Sequence, residues 1–283
     1  LTLDQATTVT VTVTDGAGNP VQGEGAVTMV DTTPPTFTGL AEATQISADD
    51  SCAGGAPDLL AGLTLADNCS SAGDLVAAQS PLAGDALTLD QATTVTVTVT
   101  DGAGNPVYGE GAVTLVDTTQ PEVTSTPDAQ TVVADESCEG LVPDLINDLV
   151  VVDNCTQSGV LVVVQEPVAG AALSLGDETT VVFTITDESD NGGSAESTCI
   201  LVDETPPTLG NIPEPHTVEA DAQCSGVLPV MTDGVVAEDN CTPTDELAVT
   251  QAPEAGETLV LNETVTVSFT VSDAATNVAT GES

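Results

Sequence analysis

The sequence predicts an all-β protein of tandem immunoglobulin-like β-sandwich repeats, each 86 residues long, in an extended array. Three observations predict this fold: a repeat of constant length, Val/Thr runs that alternate with a period of two, and turn motifs after each run. A β-helix would need a far shorter repeat, and a propeller blade is about half this length.

The repeat keeps its register along the chain. The opening segment LTLDQATTVTVTVTDGAGN returns unchanged at Leu87, and residues 1–35 match 87–121 at all but three positions. The Asp residues that end the Val/Thr runs lie 86 residues apart, at Asp15, Asp101, Asp187 and Asp273. The predicted domains are the last strands of a truncated repeat at 1–31, repeats at 32–117 and 118–203, and a repeat without its last strand at 204–283. We expect the chain to be a piece of a longer secreted protein.

Each copy shows the pattern of strands that have one buried face. Apolar residues alternate with Thr or Ser, so the apolar side chains point to one face of the strand. The predicted inward residues are Val95, Val97, Val99, Val181, Phe183, Ile185, Val267, Phe269 and Val271. The turn DGAGNP follows the run, the return strand GAVTLVD comes next, and a Thr-Pro-Pro linker with a stiff extended backbone closes the copy.

The charge of the chain is entirely one-sided. It contains 45 Asp and Glu residues, no Lys or Arg, and one His, for a formal net charge of −45. Nucleic acid and anionic membrane surfaces are excluded as partners, because no Lys or Arg can neutralise a phosphate. The sequence contains no run of 18 apolar residues, so it does not predict a membrane-spanning helix. Since Trp is absent and Phe and Tyr are scarce, the cores must consist of Val, Leu, Ile and Ala.

The order of motifs in every copy resembles one family of extracellular modules. Each copy runs through a D-x-T-P-P-like linker, a Cys, D-N-C, Q-x-P-x-x-G and a Val/Thr run, and the copies at 32–117 and 118–203 end in V-D. This order is similar to the HYR (hyalin repeat) family of Ig-like tandem modules. The resemblance implies an extracellular location, as in repeats of large Bacteroidetes-type surface adhesins and in some animal proteins. This resemblance implies the fold and the location of the chain, and it says little about an activity.

Six of the seven cysteines form a repeating pattern. Within each copy two cysteines lie 17 residues apart, at Cys52 and Cys69, Cys138 and Cys155, and Cys224 and Cys241. We predict one disulfide within each copy, which requires an oxidising compartment. Zinc is the rival interpretation, but no His lies near these pairs and the spacing is too long.

Cys199 stands outside this pattern, at the position of Val27 and Val113 on the inward face of the return strand. The family resemblance implies a partner Cys just after the Pro-Pro, where this chain has Ser125-Thr126-Pro127. We therefore predict a buried free thiol that packs as a small hydrophobic residue. An interchain disulfide is the alternative.

Acidic residues recur at three places in each copy. They lie before the first Cys, before the second Cys, and in the linker and the turn after the Val/Thr run. Such oxygen ligands near a domain junction suit Ca²⁺, whereas the alternative is that Asp and Asn only form turns. The candidate ligands are Asp31, Asp101, Asn105, Asp117, Asp187, Asn191, Asp49, Asp67, Asp135, Asp153, Asp221 and Asp239. No other cofactor is indicated.

The sequence does not indicate catalysis. His216 occurs once and is not repeated, which predicts a surface residue. Without a second His, no Ser/His/Asp or Cys/His arrangement is complete. Paired carboxylates for glycosidase chemistry would recur in every copy, and the aromatic platform expected for sugars is missing. We therefore predict that the chain is not an enzyme and has no catalytic residue.

Glycosylation motifs are present but weak. N-x-S/T occurs at Asn68, Asn154, Asn240 and Asn262. In a bacterial host, the Thr residues that follow the linker Asp, Thr32 and Thr118, are similar to Bacteroidetes O-glycan acceptors.

These observations predict a non-catalytic segment of a long extracellular filament or adhesin stalk, at the cell surface or in a secreted fibre. Its partners would be further repeats of the same chain and identical chains in a filament. One alternative is a Ca²⁺-dependent adhesive module that binds a glycan or a protein. Others are a strand-exchanging filament subunit and a non-catalytic fragment of a larger enzyme.

Overall fold

The computed structural model describes residues 2–283 and folds them largely into β-strands. The chain divides into two compact units. Unit 1 comprises the residues up to Gln120 with Asp153–Gln157 and Glu188–Asn191. Unit 2 comprises Pro121–Val152, Ser158–Asp187 and Gly192–Ser283. The limits of the units therefore differ from those of the 86-residue copies, whose boundaries stay a prediction.

Unit 1 contains eight strands in the described residues. They are β1 (Ala6–Thr14), β2 (Pro20–Thr28), β3 (Thr36–Thr38), β4 (Ala43–Ser47), β5 (Thr64–Ala66), β6 (Val76–Ser80), β7 (Ala92–Thr100) and β8 (Pro106–Val116).

A β-sandwich forms between residues 36 and 116 of unit 1. One layer is a four-stranded sheet in the order β4-β8-β7-β6, in which β4 lies parallel to β8 and the other pairs are antiparallel. The second layer is the antiparallel pair β3-β5. Phe37 of β3 and Leu65 of β5 pack against the cluster that contains Val97 and Val99 of β7. The inward Val residues of β7 have no exposed surface, as the alternation predicts.

The hairpin β1-β2 has nearly the same sequence as β7 and the first part of β8, but a different environment. Every residue of both strands is exposed, and Val11 at the middle of β1 is 59% exposed. The alternation of Val and Thr therefore correctly predicts a strand here, whereas burial of the Val face does not occur. A strand pattern makes a face available for burial, and a second layer is needed to cover it.

Unit 2 contains thirteen strands and one 3-10 turn in the described residues. They are β9 (Glu122–Ser125), β10 (Gln130–Val133), η1 (Ile146–Asp148), β11 (Val150–Val152), β12 (Val162–Glu166), β13 (Glu178–Thr186), β14 (Gly192–Val202), β15 (Thr208–Gly210), β16 (Gly226–Val227), β17 (Val236–Glu238), β18 (Ala248–Ala252), β19 (Thr258–Leu259), β20 (Ser268–Ser272) and β21 (Val278–Glu282).

The first sandwich of unit 2 repeats the arrangement of unit 1. Its layers are the sheet β10-β14-β13-β12 and the pair β11-β9. Phe183 and Ile185 of β13 and Leu201 of β14 are fully buried between them. The fold class predicted from the sequence, tandem β-sandwich repeats, is therefore confirmed.

The last part of unit 2 has a reduced version of this arrangement. A three-stranded sheet, β18-β20-β21, accompanies the pairs β15-β17 and β16-β19. Phe269 and Val271 of β20 are fully buried here, as predicted. β21 has five residues, whereas β8 and β14 have eleven each. Residues 216–219, which correspond to β10, are not assigned to a strand.

The Q-x-P motif has a structural role. The Gln79 side chain is 6% exposed, and its Oε1 accepts a hydrogen bond from Leu59 N at 2.9 Å. Its Nε2 donates to Pro57 O at 3.0 Å and to Pro81 O at 3.1 Å. Because every polar atom of this buried amide is paired, the Gln ties the loop at Pro57 to the end of β6. Gln165 and Gln251 make the corresponding bonds.

Helical structure among residues 2–283 is confined to the 3-10 turn η1. No helix in this part of the chain is long and apolar enough to cross a membrane.

Two Val residues at matching positions test the fold directly. Val97 is fully buried, whereas Val11, in the identical segment ATTVTVTVT, is 59% exposed. We expect Val97→Thr to lower the free energy of unfolding by about 1–3 kcal/mol, because it buries a hydroxyl. Val11→Thr should change it by less than about 0.5 kcal/mol. Urea unfolding followed by far-UV circular dichroism measures both, and equal effects would contradict the two environments.

Candidate metal centre

Three aspartates meet at one end of the sandwich in unit 1. Asp67 directly follows β5, Asp101 directly follows β7, and Asp31 lies between β2 and β3. One carboxylate oxygen of each lies within 4.8 Å of the others. β5 and β7 end at the same end of the sandwich, so the Asp that follows each of them lies close to the other and to Asp31. We call this group the unit 1 triad.

Unit 2 contains an equivalent group. Asp203 follows β14, Asp239 follows β17 and Asp273 follows β20, with the same mutual approach of 4.8 Å. We call this group the unit 2 triad. Asp203 and Asp273 are 8% and 7% exposed. The sequence predicts a cluster that contains Asp31 and Asp101, but it assigns Asp67 to a different group and does not propose Asp203 or Asp273.

Two members of the unit 1 triad each have a buried oxygen without a partner. Asp31 is 8% exposed, and its Oδ1 accepts a hydrogen bond from Thr33 N at 3.0 Å. Asp67 Oδ2 accepts bonds from Cys69 N and Ser70 N, both at 2.8 Å. Asp31 Oδ2 and Asp67 Oδ1 are buried and accept no hydrogen bond from the described residues. A buried, unpaired carboxylate oxygen is costly unless a cation binds it.

The same oxygens are unpaired in unit 2. Asp203 Oδ1 accepts from Thr205 N at 3.0 Å, and Asp239 Oδ2 accepts from Cys241 N and Thr242 N. Asp203 Oδ2 and Asp239 Oδ1 have no partner among the described residues. Two separate groups thus leave the same two carboxylate oxygens without a hydrogen-bond partner among the described residues.

Asp101 remains ionised at neutral pH. Burial acts to raise its pKa, but hydrogen bonds from the side chain and backbone of Asn105 and from Ala103 N hold the pKa below its usual value. The chain has no Lys or Arg to balance the charge. The triad therefore concentrates negative charge that can be compensated only from solvent. Carboxylate oxygens are the ligands that hard divalent cations take, and these three lie close enough together to hold one.

The sequence predicts Asn105 and Asn191 as cation ligands, but in the structure their side-chain amides donate hydrogen bonds. Asn105 Nδ2 donates to Asp101 Oδ2 at 2.7 Å and to Asp31 O at 3.2 Å. Asn191 Nδ2 donates to Asp117 O at 3.3 Å. Both side chains thus use the amide nitrogen to hold the preceding linker, and the acidic group consists of Asp residues alone.

Asp117 and Asp153 have the same local bonding as Asp31 and Asp67. Asp117 Oδ1 accepts from Thr119 N, and Asp153 Oδ2 accepts from Cys155 N and Thr156 N. Asp117 Oδ2 and Asp153 Oδ1 are buried and have no partner in the described chain. Asp187 is 5% exposed and directly follows β13.

The predicted ligands Asp49, Asp135 and Asp221 are turn residues instead. Asp49 Oδ1 accepts hydrogen bonds from Ser51 N, Ser51 Oγ and Ala53 N, at 2.7 to 3.0 Å. The Ser51 hydroxyl and these backbone groups lower the pKa of Asp49. The corresponding turns at Asp135 and Asp221 have the same backbone bonds. These carboxylates belong to no acidic group of three among the described residues.

The disulfides do not close a ring within each copy, which corrects the prediction from the spacing. Cys52 bonds to Cys155, and Cys138 bonds to Cys241, with Cα atoms 4.8 Å apart in each pair. Each bond joins consecutive copies across 103 residues. Cys69 and Cys224 form no disulfide and are exposed.

Strand direction explains this pairing. β4 runs parallel to β8, so the turn that carries Cys52 follows the end of β4 that lies beside Val116. Cys69 instead follows β5. Desolvation raises the pKa of its thiol, and the negative charges of the nearby Asp31 and Asp67 raise it further. The two cysteines of one copy therefore stand at opposite ends of the sandwich, too far apart to bond.

The N-C-S/T tripeptide is a junction element. Asn154 Nδ2 donates to Asp49 O at 2.9 Å, Cys155 bonds to Cys52, and Thr156 Oγ1 accepts a hydrogen bond from Glu188 N at 3.2 Å. In unit 2 the three residues of the tripeptide Asn240-Cys241-Thr242 make the same contacts. The hydroxyl contacts were missed by the sequence analysis, although the constant Ser or Thr after each D-N-C was visible.

This arrangement bears on the predicted glycosylation sites. The Oδ1 atoms of Asn154 and Asn240 are buried, and their Nδ2 atoms are engaged at the junction, so a glycan would disrupt these contacts. Asn68 and Asn262 are exposed, as are Thr32 and Thr118. Modification at those four positions stays a prediction. His216 is exposed.

Cys199 is an unpaired thiol in the core of the first sandwich of unit 2. It is 1% exposed and packs in the cluster that contains Phe183 and Leu201. Desolvation raises the pKa of this thiol, so it stays protonated and apolar at neutral pH.

No family model matches the chain, and no curated protein matches it. Solved structures of tandem extracellular domains align along nearly its whole length. Drosophila N-cadherin EC1-4 is 13% identical over 100% of this chain and 83% of that chain, with a TM-score of 0.34. Protocadherin gamma B7 cadherin domains 1-4 are 12% identical over 98% and 82%, with a TM-score of 0.33. Sidekick-1 immunoglobulin domains 1-4 are 13% identical over 96% and 80%, with a TM-score of 0.29.

These similarities are too low to transfer a function. The resemblance to HYR modules therefore stays a prediction, and the function has to be argued from the residues themselves.

Removing a junction disulfide tests the observed pairing. We expect the double variant C138S/C241S to lose about 2–5 kcal/mol of unfolding free energy, because the bond closes a long loop. Cys224→Ser is the matched control, since this thiol is exposed and unpaired, and it should change stability by less than about 0.5 kcal/mol. Thermal unfolding under non-reducing conditions measures both. A large loss in Cys224→Ser would instead favour the pairing of Cys224 with Cys241.

Proposed function

We propose that this chain is a non-catalytic structural segment of an extracellular filament or adhesin stalk, in which Ca²⁺ binds at the junctions between repeats. The observation that carries the proposal is the pair of buried, unpaired oxygens of Asp31 and Asp67 beside Asp101. Without a cation, this chain would bury uncompensated carboxylates in at least two places and gain nothing from doing so.

The choice of Ca²⁺ follows from the ligand chemistry. The members of both triads are all Asp residues, so the ligands they offer are carboxylate oxygens, which suit a hard cation. Ca²⁺ accepts six to eight oxygens in flexible geometry, including backbone carbonyls and water. Mg²⁺ demands a near-ideal octahedron and usually keeps several waters, so a triad with irregular spacing suits Ca²⁺ better.

The position of the ion gives it a mechanical role. Asp31 belongs to the linker that enters the sandwich, whereas Asp67 and Asp101 belong to loops of the sandwich itself. An ion shared by the three would fasten the linker to the end of the module. Asn105 already holds the Asp31 carbonyl, so the ion would complete a junction that hydrogen bonds have begun.

The junction disulfides support the same role. Each bond connects consecutive copies and would resist their separation. Disulfides persist in oxidising compartments, which supports an extracellular location. We propose repeats at 32–117, 118–203 and 204–283 and the last strands of a repeat at 1–31, and we propose that they are modules of the HYR type, as in the stalks of surface adhesins.

Calcium dependence of stability tests the ion. At a Ca²⁺ concentration about 100 times the Kd, each site should stabilise the fold by about 2.7 kcal/mol relative to EDTA. Asp31→Asn should remove this gain in unit 1, yet leave stability in EDTA equal or higher, because it relieves repulsion within the triad. Glu110→Gln removes one exposed charge and should leave the Ca²⁺ response unchanged. Isothermal titration and thermal unfolding measure both, and an unchanged melting temperature in Ca²⁺ would refute the site.

Protection of the linker tests the mechanical role separately. Glu204 is exposed and lies next to Asp203 in the unit 2 triad. In Ca²⁺, cleavage after Glu204 by a Glu-specific protease should slow by about tenfold, because cutting requires local opening of the ordered linker. Cleavage after the exposed Glu42 should not change. Mass spectrometry of the fragments measures the ratio. Ca²⁺ binding without protection of Glu204 would leave the site but remove its role in stiffening.

A further inference from the structure

One sheet edge in unit 2 is open. The strand β12 pairs with β13 on one side, and no strand in the described part of the chain pairs with its other side. The backbone N–H and C=O groups on that side are therefore free to pair with a further strand. The strands β6 and β18 hold the same edge position in their own sheets. The three edges differ in their side chains, and this difference indicates which of them is open to another chain.

The edge formed by β12 is the apolar one. Val160, Val162 and Val164 lie at alternate positions there and are 47%, 58% and 54% exposed. The register with β13 places Val162 opposite Thr186 and Val164 opposite Thr184, on the outer face of the sheet. Large apolar side chains thus lie next to a row of unpaired backbone groups. This arrangement is typical of a strand that associates with another strand.

The other two copies protect the same edge with a charge. The position of Val160, two residues before β12, is taken by Asp74 before β6 and by Glu246 before β18. A charged side chain at an edge strand is a common means of preventing association with another strand. The edges of β6 and β18 therefore have this protection, whereas the edge of β12 has Val in its place.

The distribution of acidic residues along the chain indicates the same segment. Residues 154–165 are the longest stretch of the sequence without Asp or Glu. Since the chain has no Lys or Arg, no basic side chain can compensate an acidic residue that lies opposite another one. Like charges directly opposite each other destabilise a pair of strands. Two copies of this chain therefore pair most favourably along an edge that is poor in acid, and β12 provides such an edge.

We propose that two copies of this chain associate through β12, whose free edges form an antiparallel pair about a twofold axis at Val164. In this register, Val162 lies opposite Glu166 of the partner subunit, and Val163 lies opposite Gln165 of the partner subunit. The acidic residue of each strand thus meets an apolar side chain, and no two carboxylates lie opposite each other. The same five residues serve both copies, as in an isologous interface.

A second copy suits this edge better than a basic partner does. Glu166 is the only charged residue of β12. A Lys or Arg opposite any other position would lose hydration and gain no carboxylate in return. The Val side chains favour an apolar strand, because pairing removes their surface from water. Repulsion between two net charges of −45 opposes the association, but at physiological ionic strength salt screens it beyond about 8 Å.

The inference goes beyond the proposed function and does not rest on it. Ca²⁺ at the triads would act within one chain, whereas β12 would join two chains. None of the triad residues belongs to β12. The association should therefore persist in EDTA, and the failure of either proposal leaves the other unaffected.

Sedimentation equilibrium of the 283-residue chain tests the association. The buffer contains EDTA, and the exposed thiols of Cys69 and Cys224 are alkylated so that no disulfide joins two chains. Because five residue pairs form a small interface, we expect a weak dimer, with a Kd of about 0.1–1 mM. Raising NaCl from about 0.1 M to about 1 M shortens the screening length from about 10 Å to about 3 Å and should tighten the dimer at least about threefold.

Two results would overturn the proposal. One is a chain that stays monomeric at about 1 mM protein in about 1 M NaCl. The other is a dimer that weakens as salt is added, because that would indicate a contact between opposite charges, which β12 of two copies cannot make.

Matched substitutions test whether β12 is the contact. Val162 and Val76 are the first residues of β12 and β6, and they are 58% and 66% exposed. Val162→Glu would place a second carboxylate opposite Glu166 of the partner subunit, so it should weaken the dimer about tenfold. Val76→Glu adds the same charge at the other edge and should change the Kd by less than about twofold. Both variants should keep the far-UV circular dichroism of the unaltered chain. Equal weakening by the two would show that net charge, and not β12, governs the association.

Discussion

No Lys or Arg side chain is available to any of the 45 acidic residues of this chain, and the structure is organised around that constraint. A buried carboxylate has three ways to be stabilised here: backbone N–H groups, side-chain amides and hydroxyls, or cations from solvent. The carboxylate of Asp49 accepts hydrogen bonds from the N–H groups of the second and fourth residues after it. Asp101 uses the amide of Asn105 as well. Asp31 and Asp67 use these groups for one oxygen each, and their second oxygens have no hydrogen-bond partner among the described residues.

This distribution separates two classes of aspartate that look alike in the sequence. Asp49 and Asp67 both lie just before a cysteine. Asp49 ends up exposed in a hydrogen-bonded turn, whereas Asp67 joins Asp31 and Asp101 at the end of the sandwich. The difference lies in which strand precedes each residue and in which direction that strand runs. Because β4 is parallel to β8, its following turn lies at the end of the sandwich where β8 ends, and Cys52 in that turn bonds to Cys155.

The same geometry makes the copies depend on one another. Three consecutive residues make these contacts together. The Asn154 amide donates to the turn before Cys52, Cys155 forms the disulfide with Cys52, and the Thr156 hydroxyl accepts a hydrogen bond from the turn at Glu188. The turn that carries Cys52 is therefore held by a hydrogen bond and a disulfide from residues of the following copy. Cys69 and Cys224 have no such disulfide partner among the described residues, and the Val face of β1 is exposed.

The sequence by itself determined the repeat, the strands and the inward residues of three copies, because period-two alternation and a constant interval of 86 residues are local properties. It also identified Asp31 and Asp101 as neighbours. Only the tertiary structure decided which cysteines bond, which aspartates meet, and whether the segment ATTVTVTVT is buried, as in β7, or exposed, as in β1. The physical reason is that these outcomes depend on strand direction and on a covering layer, and an identical local sequence carries no information about either.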